Sequence, residues 1–535
     1  MYNADYQQPQ RSFVKNDDRA LTAQSDIPRS KFIGSWTRNT TFDQGFLVPF
    51  MVDEILPGDQ MSYNAMHYLR MATPVFPIFD NLKIETFYFF VPNRILWTNF
   101  RAFMGEETGG VTAPTVIPQQ VSPLGGFSIN SLADHLGVYA GAINGQVSSV
   151  DRNRVNVLPF RAYYQIFSDW FQDQNVEAPL VLLRNDSDEF GDPVLFRRAK
   201  MRDYFTNALP WPQKFATANV PLSGLVPIEG IGSATLNYPV AGAVVTETAG
   251  VALYPWSRAF DANFFVRGNP GSTPTIFADL ARTAGIPVEL VRQAMLLQQF
   301  REKDARGGTR YTETIRQHFG VISPDGRMQR AEYIGGGSQM MQLTPIAQTA
   351  VGASPLGTLG AAGTSVGSSS ASYAATEHGF ILGLISVQSE LSYSQGNARM
   401  WNRRTKLDHY WPSLAELGEQ AILRQELFIT GNVANDTTVF GYQERWHEYR
   451  TRTSEVTGRF RPTATLPLDA WHLSQRFVTP PILSQEFIQD NAPMARVLSV
   501  SAPTPGQQFL ANILINRTAV RPIPMFSTPA QLGRF

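Results

Sequence analysis

The sequence predicts a mainly β protein with a large core and many turns. Aromatic residues make up 12% of the 535 residues, and 41 Gly and 36 Pro supply turn residues. Charged residues are 17%, against about 25% in an average protein, which argues against a disordered chain. These features are more typical of a loop-rich β protein than of a helix bundle.

Strand-like patterns begin near Thr40 and continue through the apolar residues up to Val52. The turn at 56–59 has the sequence LPGD, and it separates these residues from a second strand-like run at 61–71. Residues 84–91 are continuously rich in aromatic side chains, a pattern that predicts a strand buried on both faces. Pro92 is expected to end that strand.

Three helices are predicted as insertions between strands. One follows Pro159, where the aromatic and aliphatic side chains of residues 163–170 share a helical face. A second runs from Pro287 to about Asp304 and stops at the following glycine pair. The third covers residues 414–423.

Long uncharged segments define the expected domain organisation. Residues 1–35 are predicted to be an extended arm, and residues 36–535 a single domain. Between Lys214 and Arg258 only two residues are charged, which predicts a self-contained insertion at about 215–280. Residues 333–376 have no charge and are dominated by Gly, Ala, Ser and Thr, so we expect a flexible or extended loop there.

The charge balance limits the functions that the chain can perform alone. The formal net charge is +0, so the chain is not a histone-like cover for nucleic acid. Only 7 of the 45 cations are Lys, and the excess of Arg suits planar and stacked contacts at interfaces. There is no Cys, which excludes disulfides, thiolate nucleophiles and Cys metal ligands.

Signatures of enzyme chemistry are weak. No Lys is followed by Ser or Thr, so there is no Walker A motif. The segment GTSVG at 363–367 matches a nucleophile-elbow pattern, but it lies in low-complexity sequence and we interpret it as chance. The seven His show no HExxH motif and no metal-ligand spacing on one helix, so packed or interface histidines are expected.

A faint calcium-loop pattern occurs at Asp186, Asp188 and Asp192. Phe190 precedes the loop glycine, and Arg197 stands where a closing Glu would be needed. A solvated turn therefore explains the acidic residues better. A lattice-type cation site remains the alternative, with these three carboxylates as weak candidate ligands.

A series of motifs resembles the major capsid proteins of gokushoviruses, small single-stranded DNA phages of the Microviridae. The most specific is REKDARGGTRYTETIRQHF at 301–319. Others are TTF at 40–42, LVPF at 47–50, LPGD at 56–59, FFVP at 89–92, LPFRAY at 158–163, DYFT at 203–206, LPWPQ at 209–213, EHG at 377–379, RMW at 399–401, YWP at 410–412, GYQERW at 441–446 and WHL at 471–473. The resemblance covers roughly residues 35–490 and is poorest in the two uncharged segments.

The resemblance implies a single eight-stranded jelly roll with very long loops and several inserted helices. It implies sixty copies in a T=1 shell around circular single-stranded DNA, with a threefold protrusion at about 215–280 that contacts the host. Implied partners are a small basic DNA-binding protein, a minor capsid or pilot protein, an internal scaffolding protein and a host surface receptor. The implied location is the virion, assembled in the host bacterial cytoplasm, without membrane insertion and without a cofactor.

Clusters of cations beside aromatic rings are the candidate contacts to nucleic acid, because cations follow phosphates and rings stack on bases. The candidates are Arg197, Arg198, Lys200, Arg202, Trp211, Arg399, Trp401, Arg403, Arg404, Lys406, Arg517 and Arg521. The last two lie in a segment that has no acidic residue after Asp490. The alternative is that these side chains make ion pairs at subunit interfaces.

A jelly-roll carbohydrate-binding protein or glycan-acting enzyme is the competing function. It requires paired carboxylates, or His and Glu, at one compact site. The sequence shows no such local group. A structural shell protein without enzyme activity is therefore the favoured prediction.

Overall fold

The computed structural model describes residues 28–106, 114–142, 152–216, 228–229, 277–278, 288–347, 349, 359–499 and 506–526. The strands are β1 Ser30–Phe42, β2 Val48–Ile55, β3 Gln60–Met71, β4 Leu82–Pro92, β5 Gln119–Val121, β6 Arg154–Asn156, β7 Glu189–Phe190, β8 Ile228–Glu229, β9 Phe277–Ala278, β10 Glu332–Met340, β11 Gln342–Ala347, β12 Leu359–Ala374, β13 Gly379–Ser389, β14 Ser392–Tyr393, β15 Glu419–Leu423, β16 Val439–Glu444, β17 Ser454–Glu455 and β18 Phe509–Arg521. The α-helices are α1 Asn93–Leu96, α2 Phe100–Phe103, α3 Leu132–Leu136, α4 Leu158–Ile166, α5 Val288–Gly307, α6 Tyr311–Phe319, α7 Val433–Asp436, α8 Gln485–Ile488 and α9 Met494–Val497. A π-helical turn spans Phe167–Phe171, and 3-10 turns span Arg399–Asn402, Lys406–Asp408, Pro412–Leu414, Arg424–Glu426, His447–Tyr449, Gly458–Phe460 and Asp469–Trp471.

Eight antiparallel strands form one hydrogen-bonded series in the order β1-β18-β3-β12-β10-β4-β13-β2, and β11 pairs beside β12. The pairing is nested, because the first strand of the eight pairs with the last, the second with the seventh, and so on inward. This is the order of a jelly roll. The first sheet is β1-β18-β3-β12 and the second sheet is β10-β4-β13-β2, and they join where Gly335 pairs with Ala371. The predicted fold class is confirmed.

The core between the sheets follows from strict alternation along the strands. In β3 every second residue is buried, including Tyr63, Ala65 and Leu69. The neighbouring β18 alternates in the same register and buries Ile513 and Ile515. A side chain of this kind contributes about 1.5–3 kcal/mol when it is fully removed from water, so this alternation fixes the register of the sheet.

In the second sheet, β13 is buried on both faces and β4 is buried or half-buried along its length, as predicted for residues 84–91. Every residue of β13 is buried, because its outer face packs against helices from the loop 93–331. Phe160 and Ile166 of α4 join that second apolar cluster, which includes Leu382 of β13. The hydroxyl of Tyr163 donates a hydrogen bond of 2.9 Å to the carbonyl oxygen of Leu47.

The loop predicted at about 333–376 is wrong for most of its described residues, which form β10, β11 and β12, and residues 348 and 350–358 lie outside the described residues. The small side chains that suggested flexibility are required for close approach between strands. A Cβ atom at Gly336 would lie 2.3 Å from the carbonyl oxygen of Thr86 on β4. One at Gly335 would lie 2.5 Å from the carbonyl oxygen of Ser370 on β12.

Two connections are far longer than the four to six residues that are usual between strands. Residues 93–331 join β4 to β10, and residues 390–508 lie between β13 and β18. A third apolar cluster is formed from both connections and includes Phe205, Phe440 and Phe487. The parts of the two connections that form this cluster therefore pack against each other.

Two of the three predicted helices are confirmed. Helix α4 and its π-helical turn cover the stripe after Pro159, and α5 ends at Gly307. The helix predicted at 414–423 is wrong. Gly418 has a φ of +79°, which ends the helical turn, and the residues that follow form β15, paired with β16.

The predicted boundaries can be compared only in part with the structure. The arm predicted at 1–35 overlaps β1, which begins at Ser30, and residues 1–27 lie outside the described residues. By internal packing the chain divides into two units, Met1–Pro212 with Thr309–Phe535, and Gln213–Gly308. Most of the insertion predicted at about 215–280 lies outside the described residues. Within the described ranges, no helix combines the length and hydrophobicity needed to cross a bilayer.

Candidate nucleic-acid interface

Arg197 and Arg198 stabilise the folded chain. The Nη1 atom of Arg197 donates to the carbonyl oxygens of Gln44, at 3.2 Å, and Asp490, at 3.1 Å. Arg198 forms an ion pair with Glu85 of β4 and lies over a phenylalanine ring of the same strand. Both guanidinium groups therefore connect the segment after β7 to the jelly roll.

Lys200 is buried, and its Nζ atom donates to Gln475 Oε1 at 2.6 Å and to the carbonyl oxygen of Phe487. Burial lowers the pKa of Lys200 to about 8, although Asp490 and Asp203 oppose that shift. Burial also raises the pKa of Asp490 to about 6. These two groups are internal, and neither can reach a polymer in solution.

Two candidates in this first region remain accessible. Arg202 is exposed, and its side chain has no ion pair or hydrogen bond within the described part of the chain. Trp211 is half-buried. Among the cations of this region that the structure describes, Arg197, Arg198 and Lys200 are therefore bound within the chain, whereas Arg202 has no partner.

In the second region Arg399 and Arg403 neutralise the buried carboxylate of Glu426 and the half-buried carboxylate of Glu448. Arg399 Nη1 lies 3.0 Å from Glu426 Oε1, and the Glu426 side chain is only 2% exposed. Burial raises the pKa of Glu426, while Arg399 acts to lower it. Arg403 pairs with Glu448 at 3.1 Å and stacks over the ring of Tyr449.

The other members of this region are exposed. Trp401 is 72% exposed, and Lys406 lies 5.0 Å from the centre of the Trp411 ring. Among the described residues, the Arg404 side chain has no charged or hydrogen-bonding partner. This group, unlike Arg399 and Arg403, keeps both free charge and free aromatic surface.

A cavity of about 430 Å³ adjoins Trp401. Its lining includes Tyr449 and Arg452, which the sequence reasoning missed. Arg452 is exposed and has no ion pair among the described residues. The signal that could have found it is the aromatic–arginine mixture at 449–452, the same type as that used for the other clusters. Such a cavity can accept an anionic group beside a ring.

In the third region Arg517 and Arg521 bind carboxylates of the jelly roll. Arg517 lies 2.9 Å from Asp53, and Arg521 lies 3.5 Å from the buried Asp59. Their charges are thus compensated inside the chain.

The three weak metal candidates make separate structural contacts. Asp186 accepts hydrogen bonds from Trp97 Nε1 at 2.6 Å and from a neighbouring asparagine. Asp188 accepts one from the amide of Gln119 and pairs with an arginine, and Asp192 accepts one from the amide of Ser128. No group of three His, Asp or Glu able to hold a metal occurs within the described ranges.

The fold alone limits the class of protein, because two-sheet jelly rolls are typical of viral coats and of some lectin domains. The family model described as "Capsid protein (F protein)" matches residues 21–531. The chain therefore belongs to this phage capsid-protein family, and the resemblance to gokushoviruses is confirmed. It is a structural protein of the capsid, not an enzyme.

Curated relatives agree over nearly the whole chain. Capsid protein VP1 of Bdellovibrio phage phiMH2K is 38% identical over 526 residues, covering 95% of this chain and 96% of the relative. Capsid protein VP1 of Chlamydia phage 1 is 35% identical over 584 residues, covering 94% and 96%. Capsid protein VP1 of Spiroplasma virus 4 is 30% identical over 544 residues, covering 96% and 97%.

Proposed function

We propose that this capsid protein assembles as sixty copies into a T=1 icosahedral shell around circular single-stranded DNA. The observation that carries the proposal is exposed apolar surface on the long loop 390–508. Leu466, Val478 and Ile482 are all more than 60% exposed, and Val478 reaches 90%. Apolar surface of this kind marks contacts with other molecules, and closed symmetry lets identical copies cover it.

The genome requires a second source of positive charge. A coat with formal net charge +0 cannot neutralise several thousand phosphates in bulk. A small basic DNA-binding protein therefore lines the shell, together with counterions. Arg202, Arg404 and Trp401 are the predicted candidates that remain free for local, sequence-tolerant contacts.

The remaining partners follow from the same family. An internal scaffolding protein assists assembly in the host bacterial cytoplasm, and a minor capsid or pilot protein completes the virion. The insertion at about 215–280 forms a threefold protrusion that contacts a host receptor. Its separation as the unit Gln213–Gly308 supports this part of the proposal. Deleting residues 218–256 would then abolish adsorption while particles still form.

Sedimentation of the purified protein tests the assembly. We expect a particle containing about 3.6 MDa of protein, for sixty chains of 59.5 kDa, with DNA protected from nuclease. Replacing Val478 and Ile482 by Asp places charges in a subunit contact, so folded but unassembled protein is expected. Asn435→Asp with Thr457→Asp is the matched control at exposed sites on the same loop. A wild-type protein that stays monomeric would refute the proposal.

A further inference from the structure

Lys200 and Gln475 bring an amine and an amide into direct contact between the two long connections. Lys200 belongs to the connection 93–331, and Gln475 to the connection 390–508. The Nζ atom of Lys200 lies 2.6 Å from Gln475 Oε1, and Gln475 Nε2 donates to the carbonyl oxygen of Asn491 at 2.9 Å. Since a C=O bond is about 1.2 Å long, Nζ lies no more than about 3.8 Å from the amide carbon Cδ. Nucleophiles attack from a similar distance, about 3–3.5 Å.

Backbone hydrogen bonds fix Lys200 beside Asp490. The two residues flank an antiparallel β-bridge that joins the two connections. The Lys200 amide donates to the carbonyl oxygen of Ile488 at 2.8 Å. The Asp490 amide donates to the carbonyl oxygen of Arg198, also at 2.8 Å. Lys200, Gln475 and Asp490 line one small cavity of about 10 Å³, so the three side chains meet at one place.

The amine of Lys200 has only uncharged hydrogen-bond partners. Besides Gln475, it donates to the carbonyl oxygen of Phe487, and it lies 4.4 Å from the centre of the Phe487 ring. Within the described part of the chain it forms no ion pair. Burial lowers the pKa of Lys200 to about 8, so about a tenth of the amine is neutral at pH 7. A desolvated, neutral lysine amine is a nucleophile.

Asp490 is placed to carry protons for such a reaction. The residue is only 1% exposed, and its Oδ2 atom has no hydrogen-bond partner within the described ranges. Burial raises the pKa of Asp490 to about 6, although Gln44 and Lys200 act to lower it. Part of the carboxyl group is therefore protonated near neutral pH. Such a group acts both as a general acid and as a general base.

We propose that Lys200 and Gln475 join in an autocatalytic amide cross-link once the chain has folded. The neutral Nζ atom forms a bond to Cδ of Gln475, and the bond between Cδ and Nε2 breaks. Protonated Asp490 donates a proton to the departing nitrogen and then accepts the proton that Nζ loses. One amine and one carboxamide thus become one secondary amide and one ammonia molecule, without an oxidant or a cofactor.

The cross-link connects residues that are 275 positions apart in the sequence. In the chain-entropy description, closing a long loop restricts the unfolded chain more than closing a short one. The chain has no Cys, so a disulfide does not perform this task. An amide bond also persists under reducing conditions. The cross-link is a property of the folded chain and does not depend on the number of copies in the shell.

A purely structural role for Lys200 fits its surroundings less well. Buried charges in proteins are normally paired with an opposite charge. Arg399 follows that rule, because it lies 3.0 Å from the buried carboxylate of Glu426. The Lys200 amine instead meets an amide oxygen and a backbone carbonyl oxygen.

Mass spectrometry of the denatured full-length protein tests the proposal. We expect each wild-type chain to be lighter than its sequence mass by one ammonia molecule, and a protease digest to contain one pair of peptides joined at Lys200 and Gln475. Lys200→Arg and Asp490→Asn should each have their full sequence mass. Gln395→Ala is the control, because it removes another half-buried glutamine whose Nε2 donates to a backbone carbonyl oxygen, and it should keep the ammonia loss.

The wild-type mass decides the outcome even if a variant fails to fold. Wild-type chains with the full sequence mass would overturn the proposal, and so would an ammonia loss that maps to other residues. A folded Asp490→Asn protein that still loses ammonia would overturn the proton transfer assigned to Asp490. On a denaturing gel the closed loop should make the wild-type chain migrate faster than Lys200→Arg, and equal migration would contradict the closed loop.

Discussion

Arg517 on β18 donates from Nη1 to Asp53 Oδ2 on β2 at 2.9 Å, and thereby ties the first sheet to the second. The two strands are not hydrogen-bonded neighbours in the sheet order. Tyr63 donates to the same carboxylate at 2.8 Å. The Arg517–Asp53 pair therefore stabilises the jelly roll at a place where its two sheets are not joined by backbone hydrogen bonds.

Replacing Asp53 by Asn should lower the free energy of unfolding by about 1–3 kcal/mol, because Arg517 and Tyr63 lose a charged acceptor. Thermal unfolding of the full-length protein measures the change. Arg404→Ala is the control, since that side chain is exposed and unpaired in the described structure. Equal melting temperatures for the two variants would contradict the structural role of the pair.

Gly336→Ala should destabilise the protein by about 1–3 kcal/mol, because the new methyl group would overlap the carbonyl oxygen of Thr86. Gly34→Ala on β1 meets no heavy atom within 4 Å and should leave stability nearly unchanged. Soluble yield and thermal unfolding measure both effects. If Gly336→Ala is as stable as Gly34→Ala, β10 does not pack as described.

The stability of the chain should fall between pH 6.5 and 4 through His67. Burial between the sheets lowers its pKa to about 4, so the unfolded chain binds a proton in that window and the folded chain does not. The contribution is complete above pH 6.5, and about 2 kcal/mol of it is lost at pH 5. The free energy of unfolding should differ less between pH 7.5 and pH 5 for His67→Gln than for the wild-type protein. His409→Gln, at an exposed site, should keep the wild-type pH dependence.

Arg399→Ala should cost about 2–3 kcal/mol, because the buried carboxylate of Glu426 would lose its partner. The loss should shrink as the pH falls, since burial already raises the pKa of Glu426 and protonation removes its charge. Denaturant unfolding at several pH values measures this. Arg404→Ala should instead leave unfolding unchanged and reduce packaged DNA. If Arg404→Ala destabilised the protein and Arg399→Ala only reduced packaged DNA, the roles assigned to these two arginines would be wrong.

The strands and helices that were predicted correctly are those whose local pattern of apolar residues matches their buried faces in the fold. Strand β4 and helix α4 carry the apolar periodicity of their buried faces, so both were predicted. Strand β12 was missed because Gly, Ala and Ser are poor strand formers, and only its neighbours make small side chains necessary.

The candidate interface was predicted less well for a related reason. Arg399 and Glu426 are 27 residues apart, and Arg517 and Asp53 are 464 apart. Local sequence shows Arg399 beside aromatic residues and Arg517 in a segment without acidic residues. Whether that arginine is free or paired is decided by tertiary contacts, which a single sequence does not show.

An icosahedral electron cryomicroscopy reconstruction of purified particles tests the account most directly. We predict sixty copies of the jelly roll in a T=1 shell, with the loop 390–508 in contact with neighbouring subunits. A different copy number, or a small closed oligomer without enclosed DNA, would contradict it.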